Sequence, residues 1–237
     1  MRDAGRIVAE TLEILRGAVR AGITTAELDQ MAEKNIRRYG AVPSFKHYRG
    51  FPASICVAVN EEVVHGIPGP KVLHDGDIVS IDTGARYRGY HGDATITVGI
   101  GMINPEAERL IRVCRESLDV GIGAARAGRR LTDISAVIQD YVEAEGFSVV
   151  RDLYGHGIGR SLHEEPMLPH YGPPGHGPVL RSGMVLTIEP MIAAGKPATK
   201  TLKDDWTVVT LDGSWAAQFE HTVAITEDGP EILTRFP

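Results

Sequence analysis

A chain of 237 residues, 43% hydrophobic and 24% charged, is long enough to enclose a sizeable core and has the balance of an ordinary globular protein. A net charge of −6, with basic spots only as short as Arg37-Arg38 and Arg129-Arg130, excludes a generally basic nucleic-acid binder. Two cysteines, Cys56 and Cys114, exclude a disulfide-stapled secreted scaffold; no stretch behind Met1 reads as a leader and no apolar run approaches the ~20 residues of a membrane span, so a reduced, cytoplasmic protein is expected.

Residues 5–20 place Val8, Leu12, Leu15 and Val19 on one helical face. A second helix is predicted from Thr24, with Glu27 completing a capping box, Leu28, Met31, Ile36 and Tyr39 as its stripe and Gly40 as its stop. Strands follow at 54–59, 78–82 and 94–98, rich in Ile, Val and Thr. Asn104-Pro105 opens a long helix to about residue 126, Asn as cap and Pro at the first position. Thr132 is expected to cap another helix, carrying Ile134, Val137, Ile138, Tyr141 and Val142 and ending at Gly146. Residues 147–237 look strand-rich, and Tyr171-Gly-Pro-Pro-Gly-His-Gly-Pro178 cannot be regular structure.

An internal repeat runs through these elements, the helical segments at an offset of 106 residues. Ala21-Gly22 through Gly40 matches Ala127-Gly128 through Gly146 without a gap, and Leu12-Glu13 upstream falls on Leu118-Asp119. The strands correspond too: Gly76-Asp-Ile-Val-Ser-Ile-Asp82 with Gly183-Met-Val-Leu-Thr-Ile-Glu189, and Asp93-Ala-Thr-Ile-Thr-Val98 with Glu220-His-Thr-Val-Ala-Ile225. Four matched segments in one order predict two α/β halves, about 1–103 and 104–237, related by a pseudo-twofold within one domain.

The repeat puts an acid at the same place in each half, twice: Asp82 with Glu189, and Asp93 with Glu220. Each sits in an apolar strand, where an unpaired carboxylate is costly, and none has Lys or Arg beside it in sequence. Metal is the simplest counter-charge. Four carboxylates can bridge two divalent ions, which stand roughly 3.5–4 Å apart in two-metal sites. Among the histidines, His156 lies in the glycine-dense run Gly155-His156-Gly157-Ile158-Gly159, where the backbone can approach a ligand closely. His163 and His65 are further candidates, while His91 and His221 adjoin proposed ligands. The helical zincin motif fails because residue 167 is Met. Dinucleotide and phosphate loops, Cys-x-x-Cys pairs and a nucleophile elbow around Ser161 or Cys56 are also missing.

Asn60-Glu-Glu-Val-Val-His65-Gly-Ile-Pro68, His91-Gly-Asp93, Gly155-His-Gly-Ile-Gly159, His163-Glu-Glu-Pro166, Thr187-Ile-Glu-Pro-Met191 and Glu220-His-Thr222 together resemble the type I methionine aminopeptidases. The likeness runs from Ala4-Gly5-Arg6 to Glu231-Ile-Leu-Thr234. It implies the pita-bread fold of two pseudo-symmetric α/β halves, which agrees with the repeat. It also implies a cytoplasmic, monomeric hydrolase that removes the initiator methionine from nascent chains, the ribosome being a candidate meeting place, when the second residue is small.

The resemblance assigns Asp93 and Glu220 as bridges between two divalent ions (Co, Mn, Fe or Zn), Asp82 to one ion, and His156 with Glu189 to the other. A water activated by both cations is the implied nucleophile, with Glu189 as base, His163 at the scissile carbonyl and His65 on the amide side. Tyr48, Phe51, Cys56, Leu162 and Trp206 match methionine-pocket positions. Leu162 stands where the family commonly has Phe, Phe51 replaces a frequent Tyr, and Val64 a frequent Cys, so the shape of the pocket is this chain's own. Glu189 and Glu220 are 31 residues apart, too close for the helical insertion of type II relatives. The competing expectations are a Xaa-Pro aminopeptidase of the same fold and a metal-free peptide-binding relative.

Overall fold

The computed structural model describes residues 1–235. The first half contains α1 (Arg2–Ala18), α2 (Thr25–Arg38), β1 (Val42–Pro43), β2 (Ile55–Val59), β3 (Glu62–Val64), β4 (Ile78–Tyr87) and β5 (Tyr90–Gly99). The second begins with α3 (Pro105–Ala124) and α4 (Leu131–Ala144). It continues with β6 (Ser148–Val149), β7 (Gly155–Gly157), β8 (Glu164–Leu168), β9 (Val185–Ile188), β10 (Met191–Ala193), β11 (Thr199–Thr201), β12 (Val208–Thr210), β13 (Ala216–Gln218), β14 (Glu220–Thr226) and β15 (Gly229–Ile232).

Local chemistry sets the helix starts. Thr24 Oγ1 accepts the Glu27 N–H at 3.2 Å and Glu27 Oε2 accepts the Thr24 N–H at 2.8 Å, the predicted capping box, in which the threonine cap contributes on the order of 1 kcal/mol. Asn104 Oδ1 accepts from the Ala107 N–H at 2.8 Å ahead of α3. The expected cap at Thr132 is a correction: α4 starts two residues earlier, with Arg130 at the cap position and Asp133 accepting the Arg130 N–H at 3.0 Å. The gapless repeat already pairs Thr24 with Arg130 and Glu27 with Asp133. The acid of the capping box is retained while its hydroxyl is not, and Thr132 Oγ1 instead accepts the His176 N–H of the 171–178 loop at 2.8 Å.

The main sheet has nine strands in the order β1-β4-β5-β14-β9-β7-β8, with β2 added to β4 and β15 to β14, every pair antiparallel. Repeat-matched strands, β4 with β9 and β5 with β14, fall symmetrically about the β5–β14 junction. That junction pairs Glu220 with Thr95 and His221 with Ala94. Each half encloses its own core. Ile7, Leu12, Leu28 and Ile36 of α1 and α2 pack on Ile55, Val79 and Ile81. Leu110, Leu118, Ile134 and Ile138 of α3 and α4 pack on Leu186, Ile188 and Val223. The helices thus cover one face of a continuous sheet, and the repeat-related acids come from its central strands, Asp82 on β4, Asp93 on β5 and Glu220 on β14, with Glu189 one residue past β9. Among the described residues, no helix is long and apolar enough to cross a membrane.

Candidate active site

The β4–β5 hairpin supplies two acids. Asp82 lies opposite Thr95, and Asp93 opposite Gly84. The pseudo-twofold shows in how the acids are held at the junction. Thr95 Oγ1 donates to Glu220 Oε2 at 2.8 Å. Its repeat partner Thr222 donates through Oγ1 to the Asp93 carbonyl at 2.7 Å and accepts the Asp93 N–H at 2.9 Å. The repeat carried this signal, since a threonine stands two residues after each acid, but the sequence reading passed over it.

The remaining groups come from the second half. Thr187 Oγ1 donates to Glu189 Oε1 at 2.7 Å and accepts the His156 N–H at 2.9 Å, so one hydroxyl ties two proposed ligands together. Gln218, not anticipated from sequence, donates to Glu189 Oε2 at 3.3 Å. His156 sits at the middle of β7 with Nδ1 2.9 Å from the Gly157 carbonyl. Donation there leaves Nε2 as a bare lone pair aimed at the acids, 3.7 Å from Glu189 Oε1. Gly157 allows this placement, because a Cβ there would lie 2.3 Å from the backbone oxygen of Glu165 on β8. Gly157→Ala is therefore expected to cost ~1–3 kcal/mol by forcing β7 and β8 apart. A thermal midpoint equal to that of the parent protein would refute that reading.

Burial dominates the electrostatics. It pushes the Asp82 carboxyl up to about 7 and Glu189 up to about 8. It also raises Asp93 and Glu220 well above the usual carboxylate range, and neighbouring acids raise both further. Burial holds His156 down to about 4, neutral and ready to act as a ligand. Asp82 Oδ1 and Asp93 Oδ1 are buried without a hydrogen-bond partner. Ligand atoms of Asp93, His156 and Glu220 all lie within 4.8 Å of one another. Oxygen and imidazole donors, orphaned carboxylate oxygens and a surplus of negative charge are what a divalent cation satisfies, so the residues fit a metal. Asp82 and Glu189 line the same cavity as this trio, with Glu189 Oε1 3.7 Å from His156 Nε2.

All twelve residues singled out from the sequence line one cavity of about 310 Å³. The four acids and His156 line it together. Tyr48, Phe51, Cys56, Leu162 and Trp206 belong to an apolar cluster along its wall, where Phe51 and Trp206 meet edge to face at 5.1 Å. Cys56 is buried, and burial together with the nearby carboxylates raises its thiol, so it serves as an uncharged wall rather than a nucleophile. His65, in a left-handed conformation (φ 59°) just past β3, presents its ring edge-on to Trp206. Burial lowers its pKa. His163 lies 4.1 Å, ring to ring, from His156. Desolvation, then His156 and Arg49, hold His163 down to about 3. Phe45, Arg49 and Met167 also line the cavity and carried no motif-level signal.

Residues 1–227 match the Metallopeptidase family M24. The chain belongs to that family. Within M24 it is 59% identical over 235 residues to methionine aminopeptidase 1 of Bacillus subtilis, covering 99% of this chain and 95% of that protein. It superposes on the crystal structure of a methionine aminopeptidase from Thermotoga maritima with a TM-score of 0.98 at 47% identity, covering 99% and 95% of the two chains. A Xaa-Pro dipeptidase from Bacillus anthracis is more distant, with a TM-score of 0.78 at 26% identity and only 59% of its length covered. The fold is the pita-bread fold of these M24 proteins.

Proposed function

We propose that this M24 chain is a methionine aminopeptidase, a divalent-metal-dependent hydrolase that removes N-terminal methionine when the second residue is small. The observation that carries the reading is the buried cluster of Asp93, His156 and Glu220 in a cavity that Asp82, Glu189 and the apolar residues also line. Full-length identity to methionine aminopeptidases supports the substrate, and the shorter reach into Xaa-Pro peptidases makes that class the lesser reading.

Asp82, Asp93, His156, Glu189 and Glu220 would together hold the divalent cations, two by the resemblance to the family. Bound there, the cations supply Lewis acidity toward water and a peptide carbonyl near neutral pH. Glu189, steadied by Thr187 and Gln218, accepts the proton of the attacking water at a carboxylate oxygen. The scissile carbonyl faces His163, which donates to the developing oxyanion. His65, kept neutral by burial, steadies the amide nitrogen and the departing amine. The substrate's free α-amino group would bind near a cation held by these residues, which restricts cleavage to the chain terminus. A thioether fits against Phe51 and Trp206, with Leu162 leaving more room than the family's usual Phe.

The same reading makes nascent chains the natural substrates and the protein a cytoplasmic monomer. Titration of the chelated protein with Mn²⁺, Co²⁺, Fe²⁺ and Zn²⁺ against Met-Ala-Ser and Xaa-Pro peptides tests it. Release of methionine is expected, saturating as two ions bind. Release of a residue ahead of proline would favour the Xaa-Pro class, and two intact substrates with metal present would leave only a peptide-binding relative.

A further inference from the structure

Tyr48 carries the further inference, because its hydroxyl meets a catalytic-site nitrogen instead of closing the methionine pocket. Its Oη lies 2.8 Å from His163 Nδ1, and the two rings stack with centroids 5.1 Å apart and planes at 29°. We infer that Tyr48 is a positioning residue that selects the tautomer of His163, keeping the ring proton on Nε2.

The local backbone is built around that contact. Tyr48 opens a one-turn helix (Tyr48–Gly50), with His47 before it at φ 69° and Arg49 within it at φ 49°, two non-glycine residues in the left-handed region. Such conformations are costly and persist where surrounding contacts fix them. Here the Tyr48 N–H donates to the Phe45 carbonyl at 2.9 Å, and the His47 N–H donates to the Phe51 carbonyl at 2.8 Å. Below the turn, Lys46 donates to Glu33 at 2.7 Å and the Ser54 N–H donates to Asp29 at 2.8 Å. A segment held this firmly fixes the position of the phenol.

A neutral imidazole carries one N–H, and the partner of one nitrogen decides where it sits. When the phenol donates to Nδ1, the proton resides on Nε2, so the ring is a donor on its other edge. A residue that must stabilise a developing oxyanion requires that form. The Arg49 guanidinium lies 5.4 Å from the Tyr48 ring centroid. A cation over the ring withdraws density from the phenol oxygen and strengthens its O–H as donor rather than acceptor.

The inference rests on the methionine aminopeptidase reading, and the test separates the two. Tyr48→Phe keeps the stacked ring and removes only the hydroxyl. In the Zn²⁺-loaded protein labelled with ¹⁵N-histidine, the parent should show His163 protonated at Nε2, and Y48F a mixture of tautomers. On Met-Ala-Ser, Y48F should lose about tenfold in kcat with KM within about twofold, a fraction of what deleting a whole oxyanion donor costs. Tyr48→Ala should show the same tautomer change with a raised KM, as the ring is lost too. An unchanged ¹⁵N pattern in Y48F, an unchanged kcat, or a raised KM at constant kcat would each overturn the inference, the last by making Tyr48 a pocket wall alone. A parent protein inactive on methionine peptides would remove the functional reading, while the ¹⁵N pattern would still report whether Tyr48 sets the tautomer.

Discussion

Stripped of divalent metal by a chelator, the protein is expected to lose stability as the pH rises from about 6.5 to 8, and to regain it when Mn²⁺ or Co²⁺ is restored. In the folded chain Asp82 and Glu189 titrate at about 7 and about 8, against ordinary values of 3.8 and 4.5, and Asp93 and Glu220 are raised too. A carboxyl raised on folding keeps its proton where the unfolded chain has released it. Its contribution is therefore fully present below about pH 4 and is lost as the pH climbs through the folded value. Histidines desolvated by folding work in the opposite direction, His91, His156 and His170 buried and His163 more exposed at the cavity. His156 and His91 fall to about 4, and His163 and His170 to about 3, from 6.5. Their contribution is present above about 6.5 and is lost as the pH falls. The two groups compete between pH 4 and 6.5, whereas above 6.5 the carboxyls act alone. Across that upper window several kcal/mol are at stake, or roughly 5 °C or more in the thermal midpoint of a chain this size. Metal reverses the trend, because it binds the ionised carboxylates of the folded state and stabilises by mass action. Thermal unfolding at pH 6.5, 7.2 and 8, with chelator and with added metal, measures this. A chelated midpoint that stays flat or rises over that window would show that the four acids are not a buried, like-charged cluster.

The acids were legible because the repeat converts four ordinary-looking carboxylates into two pairs. Strand periodicity put each on an apolar strand, and the pseudo-twofold then required the pairs to meet. The β5–β14 junction, with Thr95 and Thr222 in equivalent roles, is that meeting. His156 has no such partner, so only its glycine-rich setting and the family resemblance marked it. The cap of α4 was misread because Thr132 is the stronger capping residue by type, whereas the register of the repeat selects Arg130. Gln218 and Arg49 were invisible for a different reason. Both belong to the cavity through tertiary placement, Gln218 at the end of β13 and Arg49 in a left-handed turn, and neither position carries a periodic or motif signal. Tyr48 lines the cavity with the apolar residues expected from sequence, but its hydrogen bond to His163, 115 positions away, carries no sequence signal.

Replacing His163 with alanine should separate catalysis from metal binding more sharply than any other single change. His163 projects into the cavity beside His156, yet it is not one of the trio whose ligand atoms converge within 4.8 Å. Its Nδ1 is engaged by Tyr48, which leaves one nitrogen for the substrate. Loss of one donor to a developing oxyanion costs about 10²–10³ in kcat. His163→Ala is expected to fall in that range on Met-Ala-Ser while its affinity for Mn²⁺, measured by titration calorimetry, stays within about twofold of the parent. Glu220→Ala supplies the contrast. Glu220 is 2% exposed, accepts from Thr95 and belongs to the converging trio, so its removal should abolish metal binding and turnover together. Both outcomes follow from where each side chain ends: Glu220 among the other acids, His163 in the same cavity but outside the converging trio. If His163→Ala lost metal affinity and turnover in equal measure, His163 would be a ligand, and the donor to the scissile carbonyl would have to be sought in His65, which lines the same cavity.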